Sequence, residues 1–232
     1  MRNKKSHLTM AVVLVAATML VAGSVAVASN TGFKLNRALV VTAGSSAVGN
    51  NWTSLPFFNP YTNGTVLCQQ LGLVSTGAIR GQITKIDPNT GGTTTASCGT
   101  LAQTNAFTLA QGQGVRIRNG GTGAPTSAII VGSHNPSLSL TIPDSGNGNI
   151  GSFWFAVPYH TTAVTAADLC NGIGMTSAGA LRGSVGRLNA TTGAFTQVSC
   201  GNAAATSLIL VLGEAVRLRE PNGPMSFVPS HF

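Results

Sequence analysis

Two segments of this chain, each 33 residues long, are closely similar in sequence. Residues 67–99 read LCQQLGLVSTGAIRGQITKIDPNTGGTTTASCG, and residues 169–201 read LCNGIGMTSAGALRGSVGRLNATTGAFTQVSCG. Aligned without a gap, the two copies share the opening Leu-Cys pair, a Gly-Ala-x-Arg-Gly segment and the closing Cys-Gly pair. A fixed internal period of this length indicates two copies of one structural unit.

The match continues on both sides of this stretch. The aligned pairs are Trp52 with Trp154, Pro56 with Pro158, residues 112–118 (GQGVRIR) with 213–219 (GEAVRLR), and residues 130–134 (IVGSH) with 227–231 (FVPSH). The spacing between copies shortens towards the C-terminus, which places the deletions in loops, where changes of length cost little. We therefore predict two tandem β-rich domains, residues 29–136 and 137–232, with their boundary near Asn135 and Pro136.

The N-terminal residues have the layout of a secretory signal peptide, predicted over residues 1–28. Arg2, Lys4 and Lys5 precede an uncharged apolar run over residues 10–27, and Ala26-Val27-Ala28 is a small-x-small cleavage site. The alternative is an uncleaved anchor, since the run is just long enough to span a bilayer as a helix. We favour cleavage after Ala28, which predicts a secreted, periplasmic or cell-surface protein with no membrane contact once the leader is removed.

Charged residues are scarce. They make up 8% of the chain, against about a quarter in an ordinary domain. A surface of this kind is hydrated mainly by hydroxyls, amides and backbone groups, and copies of the protein repel one another only weakly. The composition therefore suits an extracellular module that packs against neighbours or against a cell wall.

The coarse secondary structure is the same in both copies. In the first copy, short β-branched or alternating segments bounded by Gly, Pro or Asn predict strands at residues 39–42, 52–57, 79–86, 115–118 and 128–131. Residues 87–91 (DPNTG) predict the turn of a hairpin, because Pro fixes φ while Asn and Gly tolerate a positive φ. In the second copy, residues 165–168 (TAAD) resemble a capping box that starts a short helix with Leu169 and Ile173 facing inward.

These patterns predict a mainly β fold: two tandem antiparallel β-sandwich or barrel-like domains, each with one short helix and one disulfide. The four cysteines of an exported chain indicate an oxidising compartment. Of the possible pairings, the duplication selects Cys68 with Cys98 and Cys170 with Cys200, because a copied domain carries its own crosslink. The competing interpretation is a metal site, but C-x-x-C pairs and histidines at ligand spacing are lacking, so no metal is predicted.

Residues suited to acid–base catalysis are few. The mature chain contains five acids without acidic counterparts in the other copy: Asp87, Asp144, Asp168, Glu214 and Glu220. The steps Ser133-His134 and Ser230-His231 recur, but adjacent residues of a strand point to opposite faces and cannot form a dyad. Residues 146–151 spell G-x-G-x-x-G in a loop that enters a strand, which favours a flexible loop over a dinucleotide or calcium site. We predict no catalytic residue and no cofactor.

The basic residues, in contrast, are matched between the copies. Arg116 and Arg118 alternate with Val115 and Ile117, so both point out of one face of a strand. A paired guanidinium face suits the sulfate, phosphate or uronate groups of a surface polysaccharide. The alternative is a solvated strand face whose charges discourage edge pairing. Nucleic acid is not a predicted partner, because no aromatic residues interleave with this face. The candidate anion- or glycan-binding residues are Arg80, Arg116, Arg118, Arg182, Arg217 and Arg219.

Four kinds of segment also follow one another in each copy: a Trp-containing strand, a short helix, a hairpin and a Gly-rich strand. In the first copy they are residues 51–56 (NWTSLP), 65–71, 79–91 and 109–117. With this order the chain resembles extracellular Trp-x-x-Leu-Pro … Leu-x-x-Gly-x-Gly-aromatic modules of bacterial and archaeal surface and secreted proteins. Val115 and Ala215 stand where the aromatic residue is expected, and the cysteines are additional. The resemblance implies a β-sandwich with a structural or accessory role on the cell surface and no enzymatic activity.

The sequence supports three functional hypotheses. The leading one is a secreted or envelope-associated non-enzymatic protein, structural or adhesive, whose copies self-associate. The second is a bivalent module that binds anionic surface polysaccharide through its repeated arginine faces. The third is an extracellular hydrolase with a site assembled from distant loops.

Overall fold

The computed structural model describes residues 32–42, 48–133, 135, 137–144, 151–159 and 161–229. The chain divides by contacts into residues 1–33 and 34–232, and the second unit contains both copies of the repeat. The predicted signal peptide, both histidines of the Ser-His steps and residues 146–150 of the Gly-rich loop lie outside the described residues. The domain boundary near Pro136 stays a prediction.

The first copy contains six strands and two helices within the described residues. They are β1 (Phe33–Ala38), β2 (Asn50–Thr53), α1 (Gly64–Gln70), β3 (Gln82–Ile86), β4 (Thr93–Ser97), α2 (Leu101–Ala106), β5 (Val115–Arg118) and β6 (Ser127–Gly132). Strands β2, β5, β3 and β4 lie in that order in an antiparallel sheet, and β1 pairs with β6 in a two-stranded sheet.

The second copy repeats these elements in the same order. They are β7 (Leu140–Ile142), β8 (Phe153–Ala156), α3 (Ala166–Ile173), β9 (Ser184–Leu188), β10 (Phe195–Ser199), α4 (Ala204–Ser207), β11 (Ala215–Arg219) and β12 (Met225–Phe227). The antiparallel sheet has the order β8-β11-β9-β10, and β7 pairs with β12. The prediction of a mainly β, antiparallel fold in two similar copies is confirmed.

Two details differ from the sequence-based expectation. Each copy has a second short helix, α2 or α4, directly after its closing Cys-Gly pair. Neither helix has a side-chain cap at its start, and both are too short to show a hydrophobic period, so the sequence carries no signal for them. The first strand covers Phe33–Ala38 rather than residues 39–42, where Thr42 forms only an isolated bridge with Gly120.

The capping box predicted at the start of α3 and the turn predicted for the first hairpin are both present. The Thr165 side chain accepts a hydrogen bond from the Asp168 backbone N–H, and the Asp168 carboxylate accepts one from the Thr165 backbone N–H, which completes a capping box. Leu169 is buried and Ile173 packs against the core. In the hairpin turn, the Asp87 carboxylate accepts a hydrogen bond from the Asn89 backbone N–H.

Both predicted disulfides are present. Cys68 is bonded to Cys98 and Cys170 to Cys200, and each bond joins a helix to the end of an edge strand. The bonded residues are 30 positions apart in both copies, for which the chain-entropy model gives about 3–4 kcal/mol of stabilisation. Each disulfide lies inside the hydrophobic core of its own copy.

Candidate functional site: a groove between the duplicated sheets

The two copies contact each other through matched pairs of backbone hydrogen bonds. The Ser54 N–H donates to the Gly213 carbonyl at 2.9 Å, and the aligned Ala156 N–H donates to the Gly112 carbonyl, also at 2.9 Å. The same reciprocity joins the Gly49 N–H to the Ala190 carbonyl, at 3.0 Å. Its aligned equivalent joins Gly151 to Pro88, at 2.6 Å. Reciprocal contacts between equivalent residues are the mark of a two-fold relationship, so the copies are arranged with pseudo-two-fold symmetry.

Two tryptophans from equivalent strands meet at this junction. The ring centroids of Trp52 and Trp154 are 5.1 Å apart at an interplanar angle of 33°, within the range of favourable aromatic contacts. Both residues are buried, and they form a small apolar cluster with Ile86, Ala215 and Leu188 that belongs to both copies. The copies therefore share a third core in addition to their own two.

A glycine permits the close approach of the two sheets. A Cβ atom built on Gly114 would lie 2.2 Å from the Cβ of Ala215, the residue aligned with it in the other copy. The Gly114 N–H donates to the Trp154 carbonyl at 2.6 Å. The space between positions 114 and 215 thus holds one Cβ atom, which the alanine of the second copy supplies and the glycine of the first copy lacks.

A groove of about 400 Å³ opens beside the tryptophan pair. Asn50, Trp52 and Arg116 line it from the first copy, and Trp154, Phe195 and Arg217 from the second. Arg116 and Arg217 are aligned residues of β5 and β11. Two of the predicted anion-binding arginines therefore meet in one groove, because the pseudo-two-fold contact brings their strands to the same place.

Arg116 lies between the two copies. It is the cross-strand neighbour of Trp52, and its guanidinium carbon lies 5.9 Å from the ring centroid of Trp154 in the other copy. Its Nη2 donates to the Thr84 hydroxyl at 3.4 Å. Burial lowers the pKa of the Arg116 guanidinium, and the nearby charge of Arg118 lowers it further. Arginine nevertheless stays protonated at physiological pH, so a positive charge is held half-buried at the groove.

Arg217 has equivalent surroundings in the second copy. It is the cross-strand neighbour of Trp154, its guanidinium carbon lies 5.6 Å from the Phe195 ring centroid, and its Nε donates to the Ser152 hydroxyl at 3.1 Å. Burial and, to a lesser degree, Arg219 lower the pKa of this guanidinium. Each arginine therefore packs on an aromatic ring and bonds to a neutral hydroxyl.

The aromatic floor of the groove is not symmetric. Phe195 is 41% exposed, and its ring centroid lies 5.6 Å from that of Trp52 across the junction. The ring also covers Gly186, where a Cβ would lie 2.4 Å from it. The aligned residues of the first copy are Thr93 and Thr84, so among the described residues that line the groove an accessible aromatic ring is present on one side only.

The other predicted arginines do not line this groove. Arg118 and Arg219 lie two residues after Arg116 and Arg217 on the same strands. Arg118 Nη1 donates to the Gln82 side chain at 3.4 Å. Arg80 and Arg182 lie in exposed loops, where their Nε atoms donate to the carbonyls of Gly77 and Gly179 at 2.9 and 3.1 Å.

Sequence reasoning missed the aromatic residues of the site. The expectation that no aromatic ring lies among the arginines is wrong, since the strand register pairs Trp52 with Arg116 and Trp154 with Arg217. The available signal was the matched tryptophans themselves, but their pairing with the arginine strands is a non-local contact. Phe195 carries no such signal, because its aligned residue is Thr93.

Carboxylates near the junction have partners elsewhere. Glu214 of the second copy accepts hydrogen bonds from Arg37 of the first copy and from Arg187, with side chains that are 12%, 10% and 29% exposed. Among the described residues, Arg116 and Arg217 form no salt bridge. The groove-lining residues therefore present two guanidinium groups without a counter-charge from the described part of the chain.

Metal sites and membrane-spanning helices are absent from the described part of the chain. In the described part of the chain, no three His, Cys, Asp or Glu residues lie close enough together to hold a metal ion, and no helix is both long and apolar enough to cross a membrane. Comparison of the chain with protein-family models, curated proteins and solved structures finds no match.

Proposed function

We propose that this chain is an exported, non-enzymatic structural or adhesive protein of the cell surface. The observation that carries the proposal is the use of its carboxylates. Glu214 is bound by Arg37 and Arg187, and Asp168 completes a helix cap. Acid–base catalysis needs such groups to face a substrate cleft, and here they hold the scaffold together.

The buried carboxylate of Glu220 supports the same conclusion. It is 2% exposed and accepts hydrogen bonds from the backbone N–H and the hydroxyl of Thr176, at 2.9 and 2.8 Å, and from the Asn222 N–H at 3.2 Å. A carboxylate whose acceptor sites are filled by the loop around it fixes that loop. Of the described residues that line the groove, none is Asp, Glu, His, Cys or Lys.

Export is supported by the chemistry of the fold. All four cysteines are in disulfides, which persist in oxidising compartments and are rare in reducing ones. Two crosslinks and a shared tryptophan core stabilise the pair of copies. The N-terminal leader predicted from the sequence provides the route.

Self-association is supported by the two edge strands. β4 (TTTAS) and β10 (FTQVS) contain no charge and no proline, and they pair with their neighbours without a bulge. The pairs Asp87–Gly92 and Gly81–Cys98, at the two ends of the β3–β4 ladder, are hydrogen-bonded. In an antiparallel ladder, hydrogen-bonded and non-hydrogen-bonded pairs alternate, so the backbone N–H and C=O groups of Thr93 and Thr95 point away from β3. Edges without such protection pair readily with other strands, here those of a second copy of the chain.

One set of measurements on the natively exported protein tests the proposal. Intact mass with and without reductant should show loss of residues 1–28 and two disulfides, fractionation should place the chain outside the cell, and a broad hydrolase screen should show no turnover. Sedimentation should show assemblies of the wild-type chain. The double variant Thr93→Lys with Gln197→Lys places a charge on each edge strand and should reduce these assemblies. The control double variant, Gln69→Lys with Gln70→Lys on α1, adds the same charge away from the edges and should leave them unchanged. Turnover of any polymer or ester by the purified chain rejects the non-enzymatic role, and retention inside the cell rejects export.

A further inference from the structure

We propose that the groove between the copies is a single binding site for an anionic polysaccharide, with Arg116 and Arg217 binding carboxylate or sulfate groups of the sugar chain. The inference rests on the proposed function, because export exposes the groove to the polysaccharides of a cell surface. This proposal differs from the bivalent module expected from the sequence, in which each copy binds through its own arginine face, because here one site is formed by both copies together.

The charge balance of the groove points to an anion. Arg116 and Arg217 are each only partly exposed, and among the described residues each bonds through its guanidinium to a single neutral hydroxyl, that of Thr84 or Ser152. Removing a cation from water without a counter-charge is unfavourable. An anion that binds here supplies the missing charge and accepts from N–H groups that the described neighbours leave available.

The aromatic contacts hold the guanidinium groups in place. Arg116 packs over Trp154, and Arg217 packs over Phe195. A guanidinium that is stacked on a ring loses few further rotamers when it binds a ligand, and its planar fork matches the two oxygens of a carboxylate or sulfate. The site is therefore preorganised for such groups rather than assembled on binding.

The size and the walls of the groove favour sugar units over a free ion. Its volume of about 400 Å³ is within the range of about 300–1,000 Å³ typical of small-molecule sites. Ile86, Leu188 and Phe195 add apolar surface, while Asn50 and Ser152 add hydrogen-bonding groups. Apolar faces flanked by polar groups match the two kinds of surface that a sugar ring presents.

The asymmetry of the groove sets the direction in which the chain binds. Phe195, 41% exposed, is accessible on the second-copy side, and Thr93 occupies the aligned position in the first copy. A sugar ring that packs against the exposed part of the Phe195 ring lies beside Arg217, whose guanidinium covers part of the same ring. The next charged unit of the sugar chain then lies towards Arg116. Phe195 thus gives the sugar an exposed apolar contact on the second-copy side of the groove.

The chain carries its own probe for this test. Its two tryptophans, Trp52 and Trp154, both line the groove, so their fluorescence reports binding there. The mature wild-type protein is titrated with polygalacturonate, dextran sulfate, unmodified dextran and single-stranded DNA. We expect a saturable fluorescence change with the first two polymers that weakens as salt is raised, and none with unmodified dextran.

Matched variants separate the groove from general surface charge. Arg116→Gln and Arg217→Gln should each weaken binding about tenfold, the usual loss when one charged hydrogen-bonding partner is removed, and Phe195→Thr should weaken it by about threefold to tenfold. Arg80→Gln and Arg182→Gln remove the same charge from exposed loops and should change affinity less than about twofold. Arg116→Lys keeps the charge without the fork and should give an intermediate affinity, which covers a Gln variant that fails to fold.

Three results overturn the site. These are equal weakening by the loop and groove variants, wild-type affinity in Arg116→Gln and Arg217→Gln, and tighter binding of DNA than of either anionic polysaccharide. A site that fails in this way leaves the exported structural role standing. Cleavage of polygalacturonate by the wild-type chain would instead reject the non-enzymatic role, whatever the groove variants do.

Discussion

The indole rings of Trp52 and Trp154, which occupy aligned positions in the two copies, lie with their centroids 5.1 Å apart. This contact joins the duplicated sheets and forms the floor of the groove. Tyr159 of the second copy adds a further link, since its hydroxyl donates to the Ser54 carbonyl at 3.1 Å. The two copies together thereby form one surface that neither possesses alone.

The shared core should make the two tryptophans depend on each other. Trp52→Ala and Trp154→Ala should each lower the free energy of unfolding by about 3–5 kcal/mol, because each leaves a cavity at the junction. In a double-mutant cycle followed by denaturant unfolding, the double variant should lose less than the sum of the single losses. Additive losses would show that the rings do not stabilise the same contact.

Only one Cβ fits where Gly114 meets Ala215, so Gly114→Ala should overpack the junction and lower the free energy of unfolding by about 3 kcal/mol. Ala215→Gly alone should cost about 1 kcal/mol. The exchanged double variant, with alanine at 114 and glycine at 215, should recover most of the stability, since it only swaps the copy that carries the side chain. Chemical denaturation of the three variants measures this, and a double variant as unstable as Gly114→Ala contradicts the pseudo-two-fold contact.

The ion pairs of Glu214 connect Arg37 of the first copy to the second copy. Glu214→Gln keeps the shape of the side chain but removes its charge, and hydrogen bonds to charged groups contribute about 1.5–3 kcal/mol. We expect a loss of this size in thermal or chemical unfolding. Gln113 occupies the aligned position in the first copy, and its side-chain amide donates a hydrogen bond to the Ile86 carbonyl. An ionised carboxylate cannot donate this bond, so Gln113→Glu, the companion variant, should also destabilise the fold.

The capping box of α3 should make stability depend on pH at the acid end. Hydrogen bonds from the side chain and backbone of Thr165 lower the pKa of the Asp168 carboxyl in the folded chain, below the value of about 3.9 found in unfolded chains. Its contribution is therefore fully present above pH about 4 and is lost as the pH falls through the folded pKa. In urea titrations at falling pH, Asp168→Asn should show a shallower loss of stability than wild type. The same slope in both proteins would remove Asp168 as a cause.

Much of the fold was accessible from local signals in the sequence. The capping box at Thr165 and the turn at residues 87–91 depend on residues close together in the chain, and β5 occupies the same residues, Val115–Arg118, that alternation predicted. The disulfide pairing could be predicted because the cysteines recur in both copies and the predicted compartment is oxidising. The helices α2 and α4 could not be predicted, because they lack side-chain caps and hydrophobic periods. Each packs against the first helix of its own copy, which is a non-local contact.

The strands of each copy, its crosslink and the arginines that repeat with it could all be predicted from local and repeated patterns in the sequence. Three features became visible only in the folded chain: Arg116 and Arg217 line one groove, Trp154 lies under the guanidinium of the opposite copy, and Phe195 breaks the symmetry. A repeat specifies the contacts within each unit, because residues close in the chain, or recurring at the same place in both copies, form them. The packing of one unit against the other depends instead on how two surfaces fit, and here that fit required glycine at position 114 on one side only.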